Sequence, residues 1–214
     1  MKIKKLIFIF GLAVCCLPEA SSCFAQSPEQ KIRVKIFPDS AVFTISIKGD
    51  YVVKQVQSDR ILKYGKNLRA KVTGYKSWII LAGHYLEAKD IFIKSNLAEE
   101  SIEVNGRRFK GGFEVIKRDN GLLSLVNYLG LEDYVKGISV RETSHYWPME
   151  ALKAEAVAFR TFVLYRAEQF KNKEWDVTDD VYSQVYGGQE AERYRISEAV
   201  DKTKGEVLNY DGKV

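Results

Sequence analysis

One short segment carries most of the residues that could do chemistry in this 214-residue chain. Glu142 precedes Pro148 by six residues, and the aromatic residues Tyr146 and Trp147 lie between them. Aromatic surface removes water from a carboxylate and raises its pKa, so that the group stays protonated near neutral pH. Such a group can act as the general acid that cleavage of a glycosidic bond requires. A solvated surface glutamate is the alternative, because most glutamates in proteins are exposed.

Other catalytic arrangements find less support in the sequence. A conventional glycoside hydrolase needs a second carboxylate, and Asp179 and Asp180 are the nearest candidates. Their neighbours Thr178 and Ser183 instead favour a loop or a cap. Two histidines in the whole chain argue against a Ser-His-Asp triad and against a metal centre. No glycine-rich phosphate-binding motif is present.

The residues after Pro148 predict a helix that extends to about residue 170. Proline suits the first position of a helix, where its missing N–H is not needed. Apolar side chains surround most of this helix, which is typical of a buried helix. Its main stripe consists of Leu152, Ala156, Phe159 and Val163, and a small-residue face consists of Ala151, Ala154 and Ala158.

Two cations interrupt this apolar helix. Lys153 and Arg160 are seven residues apart and therefore lie on the same side of the helix. A buried charge needs a partner because its desolvation is costly. That partner could be an internal carboxylate, such as Glu142 or Glu155, or an anionic ligand.

The region from residue 31 to about residue 128 predicts a series of short strands rich in Val, Ile and Phe. The segments are IRVKIF, AVFTISI, YVVKQV, LRAKV, SWIILA, DIFIK, IEV, FEVI and LLSLVN. Turn signals separate them at Pro38-Asp39, Gly49-Asp50, Gly74, Asn105-Gly106, Gly111-Gly112 and Asn120-Gly121. Asn105-Gly106 and Asn120-Gly121 are hairpin signals.

Helices dominate the second part of the chain, so the predicted fold class is α+β. YLGLEDYVKGI indicates a short helix with Leu131, Tyr134, Val135 and Ile138 on its buried side. WDVTDDVYSQVYGG is expected to be irregular or extended, and AERYRISEAVDKT predicts a third helix that Gly205 stops. EVLNYDGKV alternates like a strand and reaches an Asp211-Gly212 turn, so we expect this sequence to be a truncated part of a longer protein.

The N-terminus predicts a secretory signal peptide over residues 1–25. Lys2, Lys4 and Lys5 precede a dozen apolar residues, a run too short to span a bilayer. An uncleaved anchor or a lipidated N-terminus remains an alternative. All three cysteines lie in this leader, so a mature chain would contain neither disulfides nor thiolate metal ligands.

The charge balance argues against nucleic acid as the main ligand. The net charge is +5, and removal of residues 1–25 takes away three Lys and one Glu to leave +3, without long basic runs. Export points away from nucleic acid more strongly. An anionic polymer of the cell envelope would suit both observations.

Five segments resemble the stage II sporulation protein D (SpoIID) family, which is also described as the LytB amidase-enhancer family. They are IEVNGRRFKGG, LVNYLGLEDYVKGI, RETSHYWPMEALKAEAVAFRTF, SQVYGG and AVDKTKGEVLNYDGK, in chain order. The resemblance covers residues 100–214 and divides the chain into a signal peptide (1–25), a β-rich region (26–110) and a catalytic region (111–214) packed on a β-sheet.

The resemblance implies a lytic transglycosylase that acts on peptidoglycan glycan strands, often strands without stem peptides. Glu142 falls on the catalytic acid of the family. Lys153 and Arg160 fall on its basic residues, Gln184 and Tyr186 are candidates for the wall of the groove, and Tyr146 and Trp147 would also contact the sugar. The family pattern continues with a Ser/Gly-rich segment that binds zinc in some members, so the full-length protein could bind zinc. Within this chain, no metal or other cofactor is expected.

Three functions follow as alternatives. The first is glycan cleavage in cell-wall remodelling, septal processing or sporulation, and the second is a glycan-binding activator of a cell-wall amidase. The third is a structural envelope protein that makes protein contacts through its β-rich part. Each implies a periplasmic or envelope location, with membrane contact only through the N-terminus.

Overall fold

A computed structural model describes residues 30–96, 101–142, 144–211 and 214, with the backbone alone for residues 139–142. The predicted signal peptide lies outside the described residues. The strands are β1 (Lys31–Ser40), β2 (Val42–Gln55), β3 (Ile61–Tyr75), β4 (Trp78–Leu81), β5 (His84–Leu86), β6 (Asp90–Ser95), β7 (Ile102–Val104), β8 (Arg107–Phe109), β9 (Gly112–Lys117), β10 (Leu123–Gly130) and β11 (Val177–Thr178). The helices are α1 (Leu131–Glu142), α2 (Met149–Gln169), α3 (Tyr194–Lys202) and a short 3₁₀ helix at Gly188–Ala191.

All described strands join one sheet, which confirms the predicted α+β class. The order is β11-β1-β10-β9-β6-β2-β3-β4-β5, and β7 pairs with β2 and β8. Helix α1 packs on β1 and β10, while α2 and α3 pack on each other and on α1. The helices therefore lie near one end of the sheet. The pairing of β6 with β9 joins strands on both sides of residue 110, and the division of the chain at that residue stays a prediction.

Alternation of apolar and polar residues explains which face of the sheet is buried. Along β1, Ile32, Val34 and Ile36 are fully buried, while Arg33 and Lys35 between them lie on the opposite face and are half-buried. Successive side chains of a strand point to opposite faces, so this spacing places one apolar set in the core.

Both predicted hairpins are confirmed. Asn105-Gly106 joins β7 to β8, and both residues have positive φ, at 49° and 81°. Gly121 has φ 84° in the turn between β9 and β10. Asn105 and Gly106 thus adopt the left-handed conformation that a two-residue hairpin turn requires, and Gly121 adopts it within the longer connection of residues 118–122.

Three other turn predictions are wrong because the strands continue through them. Pro38-Asp39 lies within β1 and Gly74 lies within β3. Gly49-Asp50 interrupts the register of β2 with β3 but does not end the strand. Gly49 has φ 78° and donates its N–H to Asn67 Oδ1, so it forms a bulge within a 14-residue strand.

The helical predictions are largely confirmed, with different ends. Leu131, Tyr134, Val135 and Ile138 of α1 are buried as expected, and α2 follows Pro148 and ends at Gln169. Helix α3 begins later than predicted because a 3₁₀ turn and extended backbone precede it. Residues 206–209 form no strand, because they lie beside α2, where Leu208 N donates to Thr161 Oγ1 at 2.8 Å.

Gly137 lets the SQVYGG segment pack directly on α1. A Cβ at this position would lie 2.4 Å from Cε2 of Tyr186. Gly187 N also donates to Gly137 O at 2.9 Å. Glycine in a helix interior is unfavourable by about 1 kcal/mol relative to alanine, so this close approach explains its presence.

No helix in the described part of the chain has both the length and the apolar character needed to cross a membrane.

We expect Gly137→Ala to lower the free energy of unfolding by about 1–3 kcal/mol, because the added methyl overpacks a closed interface. Urea unfolding of the wild-type and variant proteins measures the change. In a Tyr186→Leu background, which removes the ring, Gly137→Ala should lower the free energy of unfolding by far less. An equal loss in both backgrounds would contradict the predicted contact.

Candidate functional site

Glu142 is the last residue of helix α1, four residues beyond the end of the predicted helical segment YLGLEDYVKGI. The helix extends four residues beyond Ile138 because residues 139–142 contain neither proline nor glycine. The side chain of Glu142 lies outside the described part of the structure, and its burial against aromatic rings stays a prediction. What the structure gives is the position of its backbone, at the point where α1 turns toward α2.

The loop between these helices is held at both ends. Trp147 N donates to Ser144 O at 3.1 Å. Arg195 of α3 donates from Nη1 to His145 O at 2.9 Å and from Nη2 to Trp147 O at 3.0 Å. One guanidinium thus ties two carbonyls of the loop to α3 and restricts the loop's position.

The two aromatic residues of this loop are exposed. Tyr146 is 79% exposed and Trp147 is 50% exposed. The ring of His145 lies 4.0 Å from that of Tyr146, centroid to centroid, at an interplanar angle of 37°. Because neither aromatic residue serves the core, both are free to contact a ligand.

Lys153 lies on the accessible side of the first turns of α2. Its Nζ contacts Glu150 Oε1 at 2.7 Å, and 28% of its side chain is exposed. An exposed pair of this kind contributes little stability. Lys153 can therefore exchange this partner for an anionic ligand.

Arg160 lies in the interior and pairs with an internal carboxylate, which is one of the two kinds of partner that the sequence left open. Its side chain is fully buried and forms a two-pronged ion pair with Glu132 of α1, with Nε–Oε1 at 3.0 Å and Nη2–Oε2 at 2.7 Å. Nη1 also donates to Glu206 O and Nη2 to Val200 O. The guanidinium is enclosed by the described residues, and its partner Glu132 is a carboxylate other than Glu142 and Glu155.

Gln184 and Tyr186 are also interior residues of the described structure, and their place in the wall of a groove stays a prediction. Gln184 is 6% exposed and Tyr186 is 1% exposed. Tyr134 Oη donates to Gln184 Oε1 at 3.2 Å, and Tyr186 Oη contacts Asn127 Oδ1 at 3.3 Å. Burial raises the pKa of Tyr186 well above its usual value, so the hydroxyl stays protonated. The SQVYGG motif packs the 183–188 segment between α1 and the sheet.

Asp179 and Asp180 act as caps of the loop, as the sequence analysis favoured. Asp179 Oδ1 accepts from Tyr186 N at 2.8 Å, and its Oδ2 contacts Arg107 Nη1 at 3.1 Å. Asp180 Oδ1 accepts from Tyr182 N and from Thr178 Oγ1. These interactions leave the two carboxylates in structural roles.

The outward side of α2 is exposed, so the prediction of a helix buried on nearly all sides is wrong. Its buried stripe consists of Leu152, Ala156, Arg160 and Val163, with the arginine in place of the expected Phe159. The opposite stripe consists of Ala154, Ala158, Phe162 and Tyr165, all exposed. Leu208 and Tyr210 line a shallow groove beside this stripe.

A buried carboxylate that the sequence analysis missed lies on β9. Glu114 is 7% exposed and accepts a hydrogen bond from Tyr128 Oη at 2.5 Å. Burial raises the pKa of Glu114, and the hydrogen bond from Tyr128 opposes that shift while the charges of Asp90 and Glu174 add to it. Its sequence signal is a single glutamate within the apolar strand GFEVIK.

Among the described residues, no group of three or more His, Cys, Asp or Glu side chains is arranged to hold a metal ion. Zinc in a longer form of the protein stays a prediction.

Comparison with known proteins confirms the family resemblance. Residues 119–210 match the SpoIID family, described as stage II sporulation protein. An uncharacterized protein of Brachyspira hyodysenteriae is 32% identical over 91% of this chain, and the chain spans about half (52%) of that relative's length. An uncharacterized protein of Chlamydia muridarum is 28% identical over 98% of this chain and 80% of its own length. The amidase enhancer of Bacillus subtilis is 36% identical over 37% of this chain and 10% of its own length.

We expect Arg160→Leu to lower the free energy of unfolding by about 3 kcal/mol or more, because Glu132 would lose its buried partner. Arg160→Lys keeps the charge but cannot form the two-pronged pair with Glu132, so it should lower the free energy of unfolding by less than Arg160→Leu does. Lys153→Ala, which breaks an exposed pair on the same helix, is the matched control and should cost less than about 1 kcal/mol. Denaturant unfolding measures the stability of all three variants. A smaller loss of stability in Arg160→Leu than in Lys153→Ala would contradict the structural role of the Arg160–Glu132 pair.

The raised pKa of Glu114 predicts a pH dependence of stability. The folded state holds the proton more tightly than the unfolded state, so this group lowers stability as the pH rises from about 4.5 through the raised pKa. Glu114→Gln keeps an acceptor for Tyr128 but cannot ionise. Its stability relative to wild type should therefore increase with pH over that window.

Chemical unfolding at several pH values measures this difference. Glu103→Gln, at an exposed position of β7, is the matched control. A difference between Glu114→Gln and wild type that is constant with pH would contradict the prediction.

Proposed function

Because residues 119–210 match the SpoIID family, we propose that the protein cleaves the MurNAc–GlcNAc bonds of peptidoglycan glycan strands as a lytic transglycosylase. The observation that carries the proposal is the exposure of Tyr146 and Trp147 in a loop anchored by Arg195, immediately after the helix that ends at Glu142. Exposed rings with no packing role present apolar faces to a sugar ring. The preceding glutamate would supply the proton.

Glu142 would act as the general acid. It would protonate the glycosidic oxygen as the bond between that oxygen and C1 of MurNAc breaks. The glutamate, now a carboxylate, would accept the proton of the C6 hydroxyl of MurNAc while O6 bonds to C1. The sugar closes as a 1,6-anhydro product, and the enzyme returns to its protonated form.

This reaction needs one carboxylate, which agrees with the surroundings of the other candidates. The nucleophile is the sugar's own hydroxyl, so neither a water molecule nor a second acid is consumed. Asp179 is held by Arg107 and the backbone of Tyr186, and Asp180 caps its own turn. The proposed chemistry leaves both free for these structural roles.

The two cations of α2 would contribute differently. Lys153 is within reach of solvent and is the candidate for contact with the lactyl carboxylate of MurNAc. Arg160 would act as a positioning residue, because its pair with Glu132 joins α1 to α2. Glu142 lies ten residues after Glu132 on the same helix, so this ion pair would help to fix the position of the Glu142 backbone.

A second candidate function is activation of a cell-wall amidase through glycan binding without cleavage. The similarity to the Bacillus subtilis amidase enhancer favours it. In that case the exposed loop would hold the glycan and the protein would recruit or stimulate an N-acetylmuramoyl-L-alanine amidase. Both functions require export to the periplasm or the cell envelope, which we propose on the basis of the N-terminal sequence, and a role in wall remodelling, septal processing or sporulation.

Replacement of Glu142 by glutamine in the full-length protein tests catalysis. The change removes the proton donor with little change in shape, so release of anhydro-disaccharides from peptide-free glycan should fall at least about 100-fold. Mass spectrometry of the digest measures the products.

Glu168→Gln is the matched control, because Glu168 is an exposed glutamate near the opposite end of α2, paired only with the exposed Lys171 among the described ion pairs. Undiminished release of anhydro product by Glu142→Gln would refute the catalytic proposal. Glycan binding without product in the wild type, together with stimulation of an amidase, would favour the second function.

A further inference from the structure

The far end of the sheet carries an exposed aromatic cluster that the proposed function does not use. It consists of Tyr75 at the end of β3, Trp78 at the start of β4 and Tyr85 on β5. Tyr75 is 51% exposed and Tyr85 is 60% exposed. Tyr75 pairs with Trp78, and Tyr85 pairs with Ile80, so all three rings lie on the face opposite to that of the fully buried Ile79.

The rings of this aromatic cluster contact one another edge to face. The Tyr85 centroid lies 6.5 Å from that of Tyr75 and 6.3 Å from that of Trp78, with interplanar angles of 78° and 86°. The cluster therefore presents ring faces in two nearly perpendicular directions. Lys76 Nζ lies over the Tyr75 ring, 5.4 Å from its centroid, and adds a cation to the cluster.

Two cations continue the same face of β3. Arg69 and Lys71 alternate with the buried residues Leu68 and Val72 and are exposed. Neither forms an ion pair or a side-chain hydrogen bond with any residue that the structure describes. From Arg69 to Tyr75 the outward row spans about 20 Å, at roughly 3.3 Å per residue.

A shallow cavity accompanies these cations. Its volume is about 340 Å³, and it is lined by Thr44, Ile45, Ser46, Arg69, Ala70, Lys71 and Glu103. Hydroxyl groups, two cations and one carboxylate thus border a depression beside the aromatic cluster. The surface combines apolar faces, hydrogen-bonding groups and a moderate positive charge.

This surface is separate from the loop that follows Glu142. Helix α1 packs on β10 and β1, whereas the aromatic cluster lies on β3, β4 and β5. Five strand-to-strand steps lie between β10 and β4 in the sheet order. At about 4.8 Å a step, the distance across the sheet is roughly 24 Å.

We propose that this face of β3–β5, with the aromatic cluster and the cations Arg69 and Lys71, is a second binding surface for an anionic polysaccharide. Sugar rings would lie against the aromatic faces, and carboxylates along the chain would contact the two cations. The identification of that polymer as peptidoglycan glycan rests on the proposed function. The binding surface itself rests only on the residues of the sheet.

The spacing of charge favours a polysaccharide over single-stranded nucleic acid. A nucleic acid strand carries one negative charge about every 3.4 Å, and proteins neutralise it with dense cations. Here the outward row of β3 between Arg69 and Tyr75 holds two cations over about 20 Å, and Glu103 borders the same cavity. A glycan with carboxylates on alternate sugars carries fewer charges per unit length than a nucleic acid strand, which agrees with a row of two cations.

Binding by the full-length protein tests the proposal. All variants carry Glu142→Gln, so that no cleavage interferes. The probes are peptide-free glycan strands, which carry lactyl carboxylates, and neutral chitin oligosaccharides. Tyr85→Ala should weaken binding of both probes roughly tenfold, whereas Lys71→Ala should weaken only the charged probe, and less so at high salt.

Matched controls come from the same strand. Tyr64 is 81% exposed and Lys66 is exposed, and both lie on β3 away from the aromatic cluster. Tyr64→Ala and Lys66→Ala should leave the affinity for both probes unchanged. Circular dichroism verifies that each exposed substitution keeps the fold.

Three results would overturn the proposal. The first is an unchanged affinity for glycan in Tyr85→Ala and Lys71→Ala. The second is a change of oligomeric state in Tyr85→Ala, which would make the face a contact between two copies. The third is binding of a single-stranded oligonucleotide that is stronger than binding of glycan and that both substitutions abolish. Loss of anhydro product in the wild type has no bearing on these outcomes. Failure of the catalytic proposal is therefore distinguishable from failure of this one.

Discussion

The ion pair between Arg160 and Glu132 is the interaction on which the arrangement of the helices depends. It joins α2 to α1, and the same guanidinium donates to carbonyl groups of Val200 and Glu206. A buried guanidinium is tolerated only when its donors are satisfied, so the helices and the segment after α3 have to meet at this point. The backbone position of Glu142 at the end of α1 follows from that requirement.

The SQVYGG segment fixes the other side of α1 through close packing and hydrogen bonds. Tyr186 fills the space above Gly137, its hydroxyl reaches Asn127 of β10, and Gln184 accepts from Tyr134. Motif residues that suggest a binding groove thus hold the helix on the sheet. Exposure separates the two kinds of residue, since Tyr146 and Trp147 are accessible while Tyr186 is enclosed.

Sequence patterns predicted most of the strands, both hairpins, helix α2 and the buried face of α1, because these depend on local periodicity and turn chemistry. They missed the short strands β5 and β11. They did not predict that β2 continues past Gly49, because a bulge and a turn share the same glycine signal. The partner of Arg160 was also missed. Glu132 is 28 positions away, and a contact of that kind depends on how the helices pack. The burial of Gln184 and Tyr186 was missed for the same reason, whereas Tyr146 and Trp147 are exposed, as contact with a ligand would require.

The lengths of the outermost strands have a consequence for how the molecule behaves among its copies. The sheet begins with β11, two residues long, and ends with β5, three residues long. An edge strand offers unpaired N–H and C=O groups as a template for another chain, and a short one offers few of them. A protein that gathers on an insoluble polymer would reach a high local concentration there. Backbone pairing between neighbouring copies would be weak at these two short strands. The longer edge that β3 offers at residues 61–71, where it pairs with β2 alone among the described strands, carries Lys63, Lys66, Arg69 and Lys71, and charged side chains oppose edge-to-edge pairing.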